Sequence, residues 1–98
     1  MLTKVKGVFI HPRQAGEVVE GYRELGRFRI LVERPGNYDE MTIFVECKEI
    51  EKFEEWEEKL KEAFKEVLRI KCDVKMVQMG EIPPDADELE DRRGHYAE

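Results

Sequence analysis

Apolar and polar positions alternate along four stretches of the chain and recur at helical spacing along two others. Lys4-Val5-Lys6-Gly7-Val8-Phe9-Ile10 is β-prone and predicts a first strand. Pro12 then stands where a helix favours its first residue, because its missing N–H would be unpaired there anyway. Ala15, Val18, Val19, Tyr22 and Leu25 follow at helical spacing. Gly16 and Gly21 each weaken that helix by about 1 kcal/mol relative to alanine, so it is expected to be short. Phe28–Glu33 and Met41–Cys47 alternate on either side of Pro35-Gly36-Asn37-Tyr38-Asp39, which predicts a β-hairpin. A second helix carries one apolar stripe through Phe53, Trp56, Leu60, Ala63, Phe64, Val67 and Leu68. Its acids crowd the N-terminal half and its lysines fall later, which suits the helix dipole and predicts Glu55–Lys59 and Glu57–Lys61 pairs. Cys72–Val77 reads as the last strand.

The order βαββαβ over residues 1–80 predicts a ferredoxin-like α+β fold, one antiparallel sheet with both helices on one face. The tail, residues 81–98, contains Pro83-Pro84 and a run of acids. It is expected to be irregular, with a short turn near Asp87–Arg92. If Ile30 and Val45 face the helices, then Leu31, Phe44 and Val77 fall on the open side of the sheet. Two readings of that surplus stay open: scattered surface apolars, or a docking face for a second domain or a second copy of the chain.

Composition narrows the picture. Ninety-eight residues make one domain with one core, burying roughly 60–70% of the unfolded chain's surface. With 17 Lys and Arg against 23 Asp and Glu, the net charge is −6, which argues against binding a phosphate backbone. No apolar run approaches the roughly 20 residues that span a bilayer, and no apolar signal core follows Lys4 and Lys6. A cytoplasmic location without membrane or nucleic-acid partners is therefore expected. The chain has no serine, one asparagine and two glutamines beside abundant Glu, Lys and Arg, a bias that points to a hot-environment source.

Candidate chemistry is sparse. Cys47 and Cys72 both lie in strand-like segments and read as small buried hydrophobes, although one disulfide is arithmetically possible. His11 and His95 stand at opposite ends and no CxxC exists, so no metal site is expected. His11, just before Pro12, reads as a helix cap. No serine is present to act as a nucleophile, and the acids after Asp85 read as a solvated tail.

The segment Lys6-Gly7-Val8-Phe9-Ile10-His11-Pro12-Arg13-Gln14-Ala15-Gly16-Glu17-Val18-Val19 resembles the opening of the C-terminal domain of phenylacetate-CoA ligases and coenzyme F390 synthetases, adenylate-forming enzymes. Arg34, Gly36 and Asp39-Glu40 are similar to that family's hairpin turn, and Asp91-Arg92-Arg93 to its closing motif. The resemblance covers nearly the whole chain in order. It implies a mobile lid that serves a larger domain binding ATP and an aryl or related carboxylate. In one pose such a lid delivers a lysine from its C-terminal loop to the acyl-phosphate region; in the other it helps form the thioester with CoA. Backbone at Gly7, with Val8 beside it, would line the pantetheine path; a plain β-bulge at Gly7 is the other reading. Arg13 would add to the CoA side, and Arg92 and Arg93 to interdomain or phosphate contacts.

The tail departs from the family. Asp85 occupies the lysine position, and no lysine follows Lys75. A carboxylate has the wrong sign to stabilise a phosphate. The expectation is a stand-alone or excised lid domain of a phenylacetate-CoA ligase-like protein, inactive alone. CoA and ATP would be used only with an adenylate-binding domain supplied in cis or in trans. The alternative is a ferredoxin-like regulatory or dimerisation module without ligase activity, pairing through Leu31, Phe44 and Val77.

Overall fold

A computed structural model describes residues 2–93. The stretch expected to be one strand turns back on itself. β1 (Thr3–Val5) and β2 (Val8–Ile10) pair antiparallel across the two-residue turn Lys6-Gly7, with Val5 opposite Val8. Lys6 has φ 51° and Gly7 φ 82°. Positive φ at both central residues is the turn whose twist matches that of the flanking strands. This hairpin stands apart from the main sheet.

Helix α1 (Pro12–Glu20) begins where Pro12 predicts. His11 Nδ1 accepts the Arg13 N–H at 3.0 Å, and Gln14 Oε1 accepts the His11 N–H at 3.0 Å, a reciprocal cap. The helix stops at Gly21 and is nine residues long. Gly16 faces Phe28, and a Cβ there would meet the ring at 3.4 Å, so glycine lets α1 approach the sheet closely.

β3 (Leu25–Glu33) and β4 (Glu40–Cys47) form the expected antiparallel hairpin. After a short 3-10 turn, α2 (Phe53–Leu68) crosses back to β5 (Asp73–Gln78), which pairs parallel with β4. Trp56, Leu60, Phe64 and Leu68 of the expected α2 stripe are buried and Phe53 and Ala63 half-buried, but Val67 is exposed. The charged surface of the helix departs from the expected pairs. Glu57 accepts the Met76 N–H at 3.2 Å instead of pairing with Lys61. Lys59 Nζ lies 4.8 Å from the centre of the Tyr22 ring and 5.1 Å from that of Trp56. Those rings meet edge-on at 4.9 Å and join α2 to the segment that follows α1.

The four-stranded sheet has the order β5-β4-β3-β6. β6 (Leu89–Asp91) comes from the tail and pairs parallel with β3. The α+β class, the helix pair on one face and the antiparallel hairpin are as expected, while the sheet as a whole is mixed. In the split βαβ arrangement an inserted strand separates the two parallel strands of each unit. Here the N-terminal segment folds onto itself, so β4 and β5 join directly.

The core lies between sheet and helices. Ile30, Val32, Ile43 and Val45 of the sheet pack with Val5, Ile10, Ala15, Leu60 and Phe64. Where a short turn is expected near Asp87–Arg92, the tail instead forms β6, and residues 94–98 lie outside the described residues. Ile30 N–H donates to the Glu88 carbonyl at 2.8 Å and Arg92 N–H to the Val32 carbonyl at 2.9 Å, so β6 satisfies the outer edge of β3.

Candidate functional site

At one end of the sheet, segments remote in sequence meet around two aspartates. Asp39 lies just before β4, and its Oδ2 accepts the Lys6 N–H at 3.2 Å. Arg34 Nε donates to Asp39 Oδ1 at 2.9 Å, and Arg93 Nη1 to Asp39 Oδ2 at 2.5 Å. Arg93 Nε donates to Asp91 Oδ1 at 3.0 Å, and Nη2 donates to the Thr3 hydroxyl at 3.2 Å and to the Lys4 carbonyl. The Thr3 hydroxyl in turn donates to Asp91 Oδ2 at 2.6 Å.

These contacts set the local charge states. Burial pushes the Asp39 carboxyl up, but hydrogen bonds from Arg34, the Lys6 N–H and Arg93 outweigh it and hold it below the ordinary value. Burial likewise opposes ionisation of Asp91, yet Arg93 and Thr3 bring it down to about 2. The Arg93 side chain is only 12% exposed.

Gly7 sits at the exposed tip of the hairpin that this cluster holds, in a turn rather than a bulge. Nothing lies within 4 Å of where its Cβ would be. Val8 is half-buried beside it, and Phe9 projects outward, 59% exposed, with Lys4 Nζ 5.5 Å from its ring centre. Arg92 points along the outer edge, its Nε donating to Glu90 Oε2 at 2.8 Å and its Nη1 3.9 Å from Glu33. Arg13 lies elsewhere, in a shallow groove with Gly16, Phe28 and Glu88. Asp85 is exposed in the 79–88 connection at the opposite end of the sheet, where Cys47 of β4 pairs with Gln78. The hairpin that carries Gly7 and Val8 is thus tied to Arg93 through Thr3 and Lys4, and Arg13 and Asp85 are kept apart from it.

That opposite end is organised by Glu46, 1% exposed. Its Oε1 accepts the Arg27 N–H at 2.9 Å, and its Oε2 accepts the Gly80 and Ile82 N–H groups at 3.0 Å each. Burial opposes its ionisation, but the three backbone donors hold its pKa below the ordinary value. Sequence reasoning names Asp39 only as part of a hairpin-turn motif and assigns neither it nor Glu46 a structural role, because each role is defined by donors distant in the chain. Gly26 is the one local trace of the Glu46 site: a Cβ there would meet Glu46 Oε1 at 2.6 Å and Met79 Cε at 2.8 Å.

Other chemistry finds little support among the described residues. Cys47 and Cys72 are free and buried, and burial raises the Cys72 thiol to about 11. No group of His, Cys, Asp and Glu is arranged to hold a metal ion among the described residues. No helix among them is long and apolar enough to cross a membrane. Leu31, Phe44 and Val77 do share the open face, where they are half-buried and line a depression with Arg29, Ile82 and Pro83. Arg29 there pairs with Glu90.

A family model described as the AMP-binding enzyme C-terminal domain matches residues 7–91. The chain belongs to that family. The match begins at the Gly7 tip and ends at Asp91, within the cluster that holds the hairpin. Among solved structures, a domain of phenylacetate-coenzyme A ligase from Bacteroides vulgatus ATCC 8482 is 26% identical, with a TM-score of 0.85 over 94% of this chain and 92% of that one. A 2-hydroxyisobutyryl-CoA ligase with 2-HIB-AMP and CoA in the thioesterification state has a TM-score of 0.85 at 19% identity. The same ligase in a postadenylation state has a TM-score of 0.76 at 20% identity. This chain covers 97% and 92% of itself in those two matches but only 22% and 21% of the ligase chains. No curated protein sequence matches it.

Proposed function

We propose that this chain is the lid domain of a phenylacetate-CoA ligase-like enzyme and performs no ligation alone. It would work against an adenylate-binding domain, in cis or in trans, on the thioester-forming side of the reaction with CoA. The observation that carries this reading is the match, across nearly its full length, to a phenylacetate-coenzyme A ligase domain.

The hairpin supports it. Gly7 has open space around its Cβ position and a positive φ, so a ligand or a partner's backbone can approach closely. The tail loop does not suit the adenylating half-reaction. Asp85 is exposed there and would oppose charge developing on a transferred phosphoryl group. On this reading CoA would meet the surface at the hairpin tip, and the acyl-phosphate region would need a cation from elsewhere.

The test mixes the purified chain with the adenylate-binding domain of a phenylacetate-CoA ligase that lacks its own lid. Light scattering after size-exclusion chromatography reads complex formation, and an acyl-adenylate is supplied so that only thioester formation is assayed. A complex that makes acyl-CoA from added adenylate supports the proposal. Acyl-CoA synthesis by the chain alone from carboxylate, ATP and CoA overturns it. A homodimer through Leu31, Phe44 and Val77 that ignores the ligase domain would support the regulatory or dimerisation module instead.

A further inference from the structure

We propose that Arg93 and Asp39 form a latch that sets the orientation of the β1–β2 hairpin and couples its turn to the end of β6. The latch stands on this chain's own contacts and holds whichever partner the domain serves. The hairpin shares no strand ladder with the four-stranded sheet among the described residues, so backbone pairing does not position it. Val5 and Ile10 anchor its inner face in the core, but apolar contact is non-directional. Direction comes from polar contacts, and among the described residues those between residues 3–10 and the rest converge on three side chains. The Lys6 N–H meets Asp39, the Thr3 hydroxyl meets Asp91 and Arg93, and the Lys4 carbonyl meets Arg93.

Arginine suits this position. Its planar fork presents several fixed donors at once, and here Nε, Nη1 and Nη2 all find acceptors on three segments. A lysine would keep the charge but could not hold β6, the residue before β4 and the hairpin together. Asp39 completes the latch by gathering Lys6, Arg34 and Arg93 on one carboxylate. Without the guanidinium, Asp39 and Asp91 would lose their shared counter-charge and the hairpin would lose two of its directional ties.

Hydrogen exchange on the wild-type chain and on Arg93→Ala, Arg93→Lys, Asp39→Asn and Thr3→Val tests this. The amides of Thr3–Ile10 in Arg93→Ala should exchange about tenfold faster or more, since hydrogen bonds to charged groups contribute on that order. The β3–β4 amides should change by a smaller factor, and Arg93→Lys should fall between wild type and alanine at the hairpin. Equal acceleration of hairpin and β3–β4 amides, or an unchanged hairpin, overturns the latch. Should Arg93→Ala fail to fold, Thr3→Val and Asp39→Asn decide. Faster exchange confined to the hairpin supports the latch, and wild-type hairpin exchange in both overturns it.

Discussion

Lys6 and Arg69 are the two non-glycine residues with positive φ among the described residues, at 51° and 70°. A β-carbon makes that conformation unfavourable by roughly 1–2 kcal/mol, and asparagine or glycine tolerates it better. Lys6→Asn should therefore raise stability by about 0.5–1 kcal/mol, read as a higher urea midpoint with an unchanged slope. A lower midpoint would show that the lysine side chain contributes something its exposed position hides. The acids at the two ends of the sheet make a second expectation. Asp91 has a folded pKa of about 2 against an ordinary value of 3.8, and Asp39 and Glu46 are shifted the same way. A depressed carboxylate contributes its stability above its unfolded pKa and loses it as pH falls through the folded one. The urea midpoint should thus be flat above about pH 5 and fall between about pH 4 and 2, with a shallower fall in Asp91→Asn. An equally steep fall in that variant would remove Asp91 from the account.

Among the elements, the 79–88 connection depends on one buried carboxylate. Glutamine at position 46 offers a single acceptor oxygen, so either Arg27 or the Gly80–Ile82 pair would face an amide NH₂ group. Glu46→Gln should lower stability by about 1–3 kcal/mol. Gly26→Ala places a methyl group against the same carboxylate and Met79, with a similar expected loss of about 1–3 kcal/mol. Denaturant unfolding of both single variants and the double variant measures the coupling. The two losses should sum to more than the double variant shows, because both act on Glu46. Full additivity would mean that Gly26 matters for its backbone alone. β6 belongs to this level too. Leu89-Glu90-Asp91 has no strand-like pattern, and it becomes a strand only because β3 offers an unpaired edge. The N-terminal segment departs from a single strand for the converse reason. Its composition is β-prone throughout, and only the backbone at Lys6 and Gly7 divides it.

Across the molecule, one core joins everything that pairs or packs, and the two cysteines report on it. Cys47 pairs with Gln78 and Cys72 precedes Asp73, which pairs with Thr42. They stand about six residues apart along the sheet, roughly 20 Å at strand spacing, too far for a disulfide. Both thiols should resist a thiol-specific reagent in the native state and react together when the chain unfolds. Labelling of one well before the other under mild denaturant would reveal a sheet end that opens separately.

Hydrophobic period alone established two helices, the central hairpin, the last core strand and an α+β class, because each burial stripe is written in consecutive residues. Motif order over nearly the whole length pointed to the family, and the absent tail lysine was legible in composition. Which strands are neighbours, and which charges meet, depended on the folded chain. Arg93 reaches Thr3 and Asp39 across 90 and 54 positions, and Glu46 reaches Ile82 across 36. Such contacts leave no local pattern, since any acid or base at those positions looks like the solvated charge that fills the rest of the surface. Burial, which exists only after folding, separates the few that hold the hairpin and the tail from the many that stay exposed.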